Sequence, residues 1–216
     1  MMPEFLTDRE FGETLALGHE QNGVEFKGPG RIDDAPLIYR VIRAMLGMSN
    51  RRDGGRVVVG VEDDGTTITA VGLDDDAAAS WSHDDLASKA GAYADPSVSF
   101  SLQKLTHSGS TFVVVHVDEF PDVPIVCSRS FQYGPAGQKQ DLVLRDGALY
   151  LRPRGKHETR EAMSYAELRE VIQLATDKGV TEFLRRADRA GMPTVGSTAP
   201  TVSDSDRFRT QKGSIR

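Results

Sequence analysis

Two stretches decide the fold: HEQNGVEFKG at residues 19–28 and RVVVGVEDDG at residues 56–65. Each holds a short apolar run of strand type with carboxylates at its edge: Glu20 and Glu25 in the first, and Glu62, Asp63 and Asp64 in the second. If the two runs pair in one sheet, a charged cluster sits on a hydrophobic scaffold. Such an arrangement is unfavourable unless a cation or a function compensates for it. In the first run the strand alternation sends Glu25 and Lys27 to one side and Val24 and Phe26 to the other. In the second, Val57, Val58, Val59 and Val61 read as a central strand covered on both faces. Alternation there puts Glu62 on the face opposite Asp63.

Working outward, Thr7 to Leu17 reads as a short helix with Thr7 as N-cap, Glu10 closing a capping box, and Leu6 with Phe11 as a hydrophobic staple. Asp34 and Pro36 open a second helix, along which Leu37, Val41, Met45 and Met48 repeat at helical spacing. Asn50 to Gly55 is a polar, glycine-ended break. Asp64-Gly65 then turns the chain into a strand, Thr67 to Val71, as a hairpin. A helix is expected at about Asp84 to Tyr93. A half-exposed strand from Ser97 to Gln103 pairs with Phe112 to Val117, in which His116 reads as a core histidine. Phe131 to Gln140 reads as a glycine-containing loop, and Leu142–Arg145 with Ala148–Arg152 as a hairpin around Asp146-Gly147. Ser164 and Glu167 cap a helix to about Lys178, where Gly179 stops it, and a short arginine-rich helix follows at about 181–190. The expected fold class is α+β, a mixed, mostly antiparallel sheet with flanking helices, joined by hairpins rather than regular βαβ crossovers. The expected division is an N-terminal helix (1–18), one main domain (19–178), a basic C-terminal helix (179–192) and a disordered tail (193–216).

Composition narrows the function. A chain of 216 residues is long enough for one domain with a real core. No apolar run approaches the roughly 20 residues of a membrane helix, and residues 1–10 lack signal-peptide character, so a cytoplasmic protein without a membrane partner is expected. The single cysteine, Cys127, excludes an internal disulfide and a cysteine-based zinc cluster, and reads as a small buried hydrophobe. A net charge of -6 argues against coating nucleic acid by bulk charge, yet Arg152, Arg154, Lys156, His157 and Arg160 form a local basic cluster. That cluster is read either as a phosphate-contacting rim or as charge protecting an edge strand. No phosphate-binding G-x4-G-K-[ST] loop occurs, so no ATP site is expected, and no nucleophile elbow supports a hydrolase.

The pair Glu25 and Lys27 has the form used by metal-dependent nucleases, in which hard oxygens hold Mg²⁺ or Mn²⁺ and an ammonium neutralises developing charge. The same pair on an exposed strand is often a solvated ion pair. Taken in order, E-x4-E-F-K (Glu20 to Lys27), the Gly54-Gly55 break, VVVGVEDDG with Val71-Gly72-Leu73, LYLRPRGKHETREA, and the S-x-x-E-L helix start (Ser164 to Leu168) resemble the Schlafen/AlbA-type domain over about residues 19–178. In vertebrate Schlafens this module belongs to an endoribonuclease that cleaves transfer and ribosomal RNA with a divalent metal. The resemblance implies Glu20, Glu25 and Asp63 as catalytic metal ligands for Mg²⁺ or Mn²⁺, with Lys27 assisting and RNA or DNA as partner. Bacterial relatives labelled as DNA-binding regulators imply the alternative of binding without turnover. Because the vertebrate core has two lobes and this chain one, the resemblance also implies a homodimer. The family's usual alanine-asparagine pair before the two glycines is here MSNRRDGG, so Arg51 and Arg52 read as phosphate contacts or as an exposed loop.

Overall fold

The computed structural model describes residues 5–18, 20, 23–135, 140–153 and 158–192. The chain forms two compact units, Met1–Ala175 and Thr176–Arg216. The tail expected at 193–216 lies outside the described residues, as do Arg154, Lys156 and His157.

Helix α1 (Asp8–Ala16) has the expected capping box: Thr7 Oγ1 accepts from Glu10 N at 3.3 Å and Glu10 Oε2 accepts from Thr7 N at 2.8 Å. Leu6 and Phe11 are both buried, as the staple requires. Strand β1 (Val24–Lys27) leads to α2 (Ala35–Ser49), whose apolar stripe is buried, and then to β2 (Gly55–Val59). The valine run does not continue straight, because Gly60 adopts φ 108° and the chain restarts as β3 (Val61–Asp63). β3 pairs with β4 (Ile68–Ala70) in the expected hairpin. Two helices follow, α3 (Asp75–Ser80), capped by Asp74, and α4 (His83–Gly91), capped by Ser82. After the two-residue β5 (Ala94–Asp95), β6 (Phe100–His107) and β7 (Ser110–Val117) form the expected antiparallel pair.

The central sheet has the order β1-β2-β7-β6. β1 and β2 are parallel, with Glu25 opposite Val57 and Lys27 opposite Val59, while the other pairs are antiparallel. The sheet is thus mixed and mostly antiparallel, as expected, but β1-α2-β2 is one βαβ crossover in a chain whose order reads as hairpins rather than regular crossovers; a parallel pair needs such a long connection, and α2 supplies it. Strand alternation gives the sheet two apolar faces. Val57, Val59, Val113 and Val115 pack in one core with α2, and Val58, Phe112 and Val114 pack with Phe26 and with Phe11 of α1 in the other.

The later segments depart further from expectation. After β8 (Val126–Cys127), residues 131–133 are strand β9 (Phe131–Tyr133), not loop, and pair with β10 (Asp141–Leu144). β11 (Tyr150–Leu151) pairs with β12 (Arg160–Glu161), so the hairpin expected between 142–145 and 148–152 does not form. The Asp146-Gly147 turn persists, but Arg145 N donates to the Tyr150 hydroxyl at 2.9 Å instead of to a strand partner. Helix α5 (Tyr165–Arg189) runs unbroken through Gly179. A glycine inside a helix costs only about 1 kcal/mol relative to alanine, and Thr181 donates its hydroxyl back to Asp177 O at 2.8 Å rather than starting a new helix. Among the described residues no helix is long and apolar enough to cross a membrane.

A buried carboxylate site and a candidate nucleic-acid interface

β1 delivers Glu25 and Lys27 to the sheet face on which α2 packs, as alternation predicts, and both glutamates are buried. The cation that compensates them is Arg152, which follows β11. Its Nη1 donates to Glu25 Oε2 at 2.6 Å, and its Nη2 donates to Glu20 Oε2 at 2.8 Å and to Val24 O at 2.7 Å. The side chain of Arg152 is 0% exposed. Read from sequence as a member of the phosphate rim, Arg152 is placed inside, because two carboxylates offer its planar fork partners that water would otherwise supply.

Three further donors complete the site. Lys27 Nζ donates to Glu25 Oε1 at 2.6 Å, Thr159 Oγ1 to Glu25 Oε2 at 2.5 Å, and Phe26 N to Glu20 Oε1 at 2.5 Å. Thr159 is fully buried and escaped the sequence reading; only its place in the KHETRE segment hinted at it. Gly47 of α2 makes room for it, since a Cβ there would meet Thr159 Cγ2 at 2.5 Å. Burial pushes the Glu20 carboxyl above its usual range, against Arg152 and Phe26 N. Burial acts on Glu25 too, but Lys27 and Arg152 together outweigh it and hold that carboxyl below its usual range.

Asp63 does not join this pair. It ends β3, is exposed, and its Oδ1 accepts from Gly65 N at 2.8 Å within the turn. The turn at Gly60 takes β3 away from the line of β2, and it is Glu62 whose Cγ lies 3.8 Å from where a Cβ of Gly28 would stand. Among the described residues no three His, Cys, Asp or Glu side chains are grouped to hold a metal ion. The Mg²⁺ or Mn²⁺ implied by the resemblance also fails to fit the donors present. Every carboxylate oxygen of Glu20 and Glu25 already accepts from a protein donor, and their two negative charges are matched by Arg152 and Lys27. A hard divalent ion needs several anionic or carbonyl oxygens with charge to spare.

Among the described residues, the other basic candidates lie elsewhere. Arg160 pairs with Glu167 and donates to Glu161 O at 3.0 Å. Arg51 donates to Gly54 O at 2.6 Å, which holds the loop after α2. Arg51 and Arg52 nevertheless line an open cleft of about 670 Å³, joined by Arg169 and Gln173 of α5 and flanked by Asp53 and Glu170. Arg169 was not singled out in the sequence, where it is one of several exposed helix charges. The same loop carries Asn50, whose buried amide donates to Ile125 O at 2.7 Å and Tyr150 O at 3.1 Å and accepts from Ile125 N at 2.8 Å. That clamp holds β11, and through it Arg152, against the end of α2. A second depression, of about 500 Å³, is lined by Glu25, Lys27, Arg40, Arg43 and Glu158.

With this geometry in place, comparison with known proteins decides the family. The family model described as Schlafen, AlbA_2 matches residues 20–155, more than half of the chain. The chain belongs to the Schlafen AlbA_2 family. The match spans β1 to just past Arg152, and so includes both carboxylates and their arginine. Among solved structures, a Corynebacterium diphtheriae protein matches at 17% identity with a TM-score of 0.44, over 71% of this chain and 26% of that one. The N-terminal domain of a RecG-related protein from Nitrosomonas europaea matches at 20% identity with a TM-score of 0.45, over 74% of this chain and 97% of that one. No curated protein matches this chain.

Proposed function

We propose that this Schlafen AlbA_2 chain is a nucleic-acid-binding module that holds phosphates in the cleft lined by Arg51, Arg52 and Arg169, without turning the bound strand over. The observation that carries the reading is the cleft itself. In a chain of net charge -6, Arg51, Arg52 and Arg169 line one open cavity that Arg152 also borders and that reaches Ala166 in the first turn of α5. Local positive charge steers and holds phosphate whatever the sum over the chain, and a helix start adds backbone dipoles of the same sign.

A second reading is a metal-dependent endoribonuclease acting on tRNA-like RNA, with Glu20, Glu25 and Asp63 as metal ligands and Lys27 assisting. It is favoured by the open depression in which Glu25 and Lys27 lie beside Arg40 and Arg43. A homodimer supplying the missing second lobe belongs to this reading. The match of Arg152 and Lys27 to the two glutamates weighs against it.

One experiment separates the readings. The protein is incubated with tRNA, single-stranded DNA and duplex DNA in Mg²⁺ or Mn²⁺, and binding is followed by fluorescence anisotropy across salt while strand integrity is followed on gels. Binding is expected to weaken steeply with salt, and the Arg51→Ala/Arg52→Ala/Arg169→Ala variant is expected to lower the duplex salt slope by about 2–3. Cleavage that Glu25→Ala and Asp63→Ala both abolish establishes the nuclease reading instead. Absence of any salt-dependent binding refutes both.

A further inference from the structure

We infer that the Arg152 guanidinium is the resident cation of the Glu20–Glu25 pair, filling the place where family resemblance expects a divalent metal, so that a metal ion and Arg152 compete for the same two carboxylates. The geometry is that of a bridge: one guanidinium takes one oxygen from each glutamate, at 2.6 Å and 2.8 Å, and adds the Val24 carbonyl as a third acceptor at 2.7 Å. A metal ion shared by the two acids would sit between the same oxygens. The remaining oxygens are held by Lys27 and by Phe26 N, and Thr159 adds a second bond to the oxygen that Arg152 shares. The cluster is already electrically balanced and buried, so adding a divalent ion while Arg152 and Lys27 stay would leave an unmatched double charge away from water. The surroundings are shaped to the same arrangement. Gly47 yields the space Thr159 needs, and the Asn50 clamp fixes β11 immediately before Arg152.

The two possible roles of the glutamates predict opposite signs in one measurement. Carboxylates gathered for a metal repel each other in its absence, so neutralising one stabilises the metal-free protein. Carboxylates gathered for an arginine lose a buried partner when one is neutralised. Thermal unfolding of the full chain in EDTA is therefore compared for wild type, Glu25→Gln and Glu20→Gln. Glu25→Gln is expected to melt lower by roughly 5–15 °C, Glu20→Gln to change the midpoint less because burial already opposes the charge at that carboxyl, and Mn²⁺ titration is expected to leave the wild-type midpoint unmoved. Arg152→Gln, where it folds, is expected to gain a Mn²⁺-dependent rise in midpoint that Arg152→Gln/Glu25→Gln lacks. A Glu25→Gln protein as stable as wild type in EDTA overturns the inference, as does a Mn²⁺ rise in wild type that Glu25→Gln abolishes. A folded Arg152→Gln protein that ignores Mn²⁺ overturns the competition. No nucleic acid enters the experiment, so its outcome is independent of the proposed binding.

Discussion

The carboxylate site and the arginine-lined cleft are built from the same residue types, and Arg152 borders both, yet water treats them differently. In the first, the arginine is 0% exposed and its charge is spent on two glutamates. In the second, Arg52 and Arg169 are exposed and Arg51 is half-buried on its own loop carbonyl. Burial turns an arginine into a structural cross-link, whereas exposure keeps its charge in contact with water. The acids follow the same division: Glu25 sits in a site that fixes its charge, while Asp63 serves a turn.

The comparison breaks most visibly at Arg152. Arg152→Ala leaves two buried carboxylates facing each other and is expected to cost about 3–5 kcal/mol in urea unfolding, whereas Arg52→Ala is expected to stay within about 0.5 kcal/mol. Equal effects would erase the distinction between the two regions.

His116 sharpens it, as a polar group buried without a counter-charge. It bonds Gln103 Oε1 at 2.8 Å. Burial first and Arg56 second push its pKa down from 6.5 to about 4, against the pull of Asp118. The unfolded chain then takes up the proton first, so the stabilisation is complete above pH 6.5 and is lost as pH falls towards 4. The loss amounts to about 3 kcal/mol. His116→Gln is expected to flatten the melting temperature across that window. Glu25 depends on pH in the same direction but at lower pH: its stabilisation is present above the ordinary carboxylate range and fades only below it, while Glu20, raised by burial, opposes it.

The smallest effect concerns space. Gly47→Ala improves helix propensity but drives a methyl into Thr159, and is expected to cost about 1–3 kcal/mol. A neutral or stabilising result would mean that Thr159 moves freely and that its bond to Glu25 is dispensable.

Local rules made some features legible and distance hid others. The Thr7–Glu10 capping box, the two faces of β1 and the β6–β7 pair depend on neighbours a few residues away, and the chain carries their pattern openly. The stop at Gly179 failed because a single glycine is a weak break when residues on both sides favour helix. Resemblance groups Asp63 with the glutamates, and the valine run read as one central strand is consistent with that grouping. The bend at Gly60 breaks that strand, and a glycine between valines does not announce its φ.

The sequence by itself determined that acids would sit on an apolar scaffold and that a cation or a function would have to compensate them, because the cost of burying a carboxylate follows from residue type and strand alternation. Which charge it would be was decided by tertiary structure. Arg152 lies 127 residues from Glu25 and 132 from Glu20, in a segment whose alternation reads equally well as an exposed basic rim. Only packing β11 against α2, with Asn50 as clamp and Gly47 as clearance, carries that guanidinium out of water and onto the two glutamates.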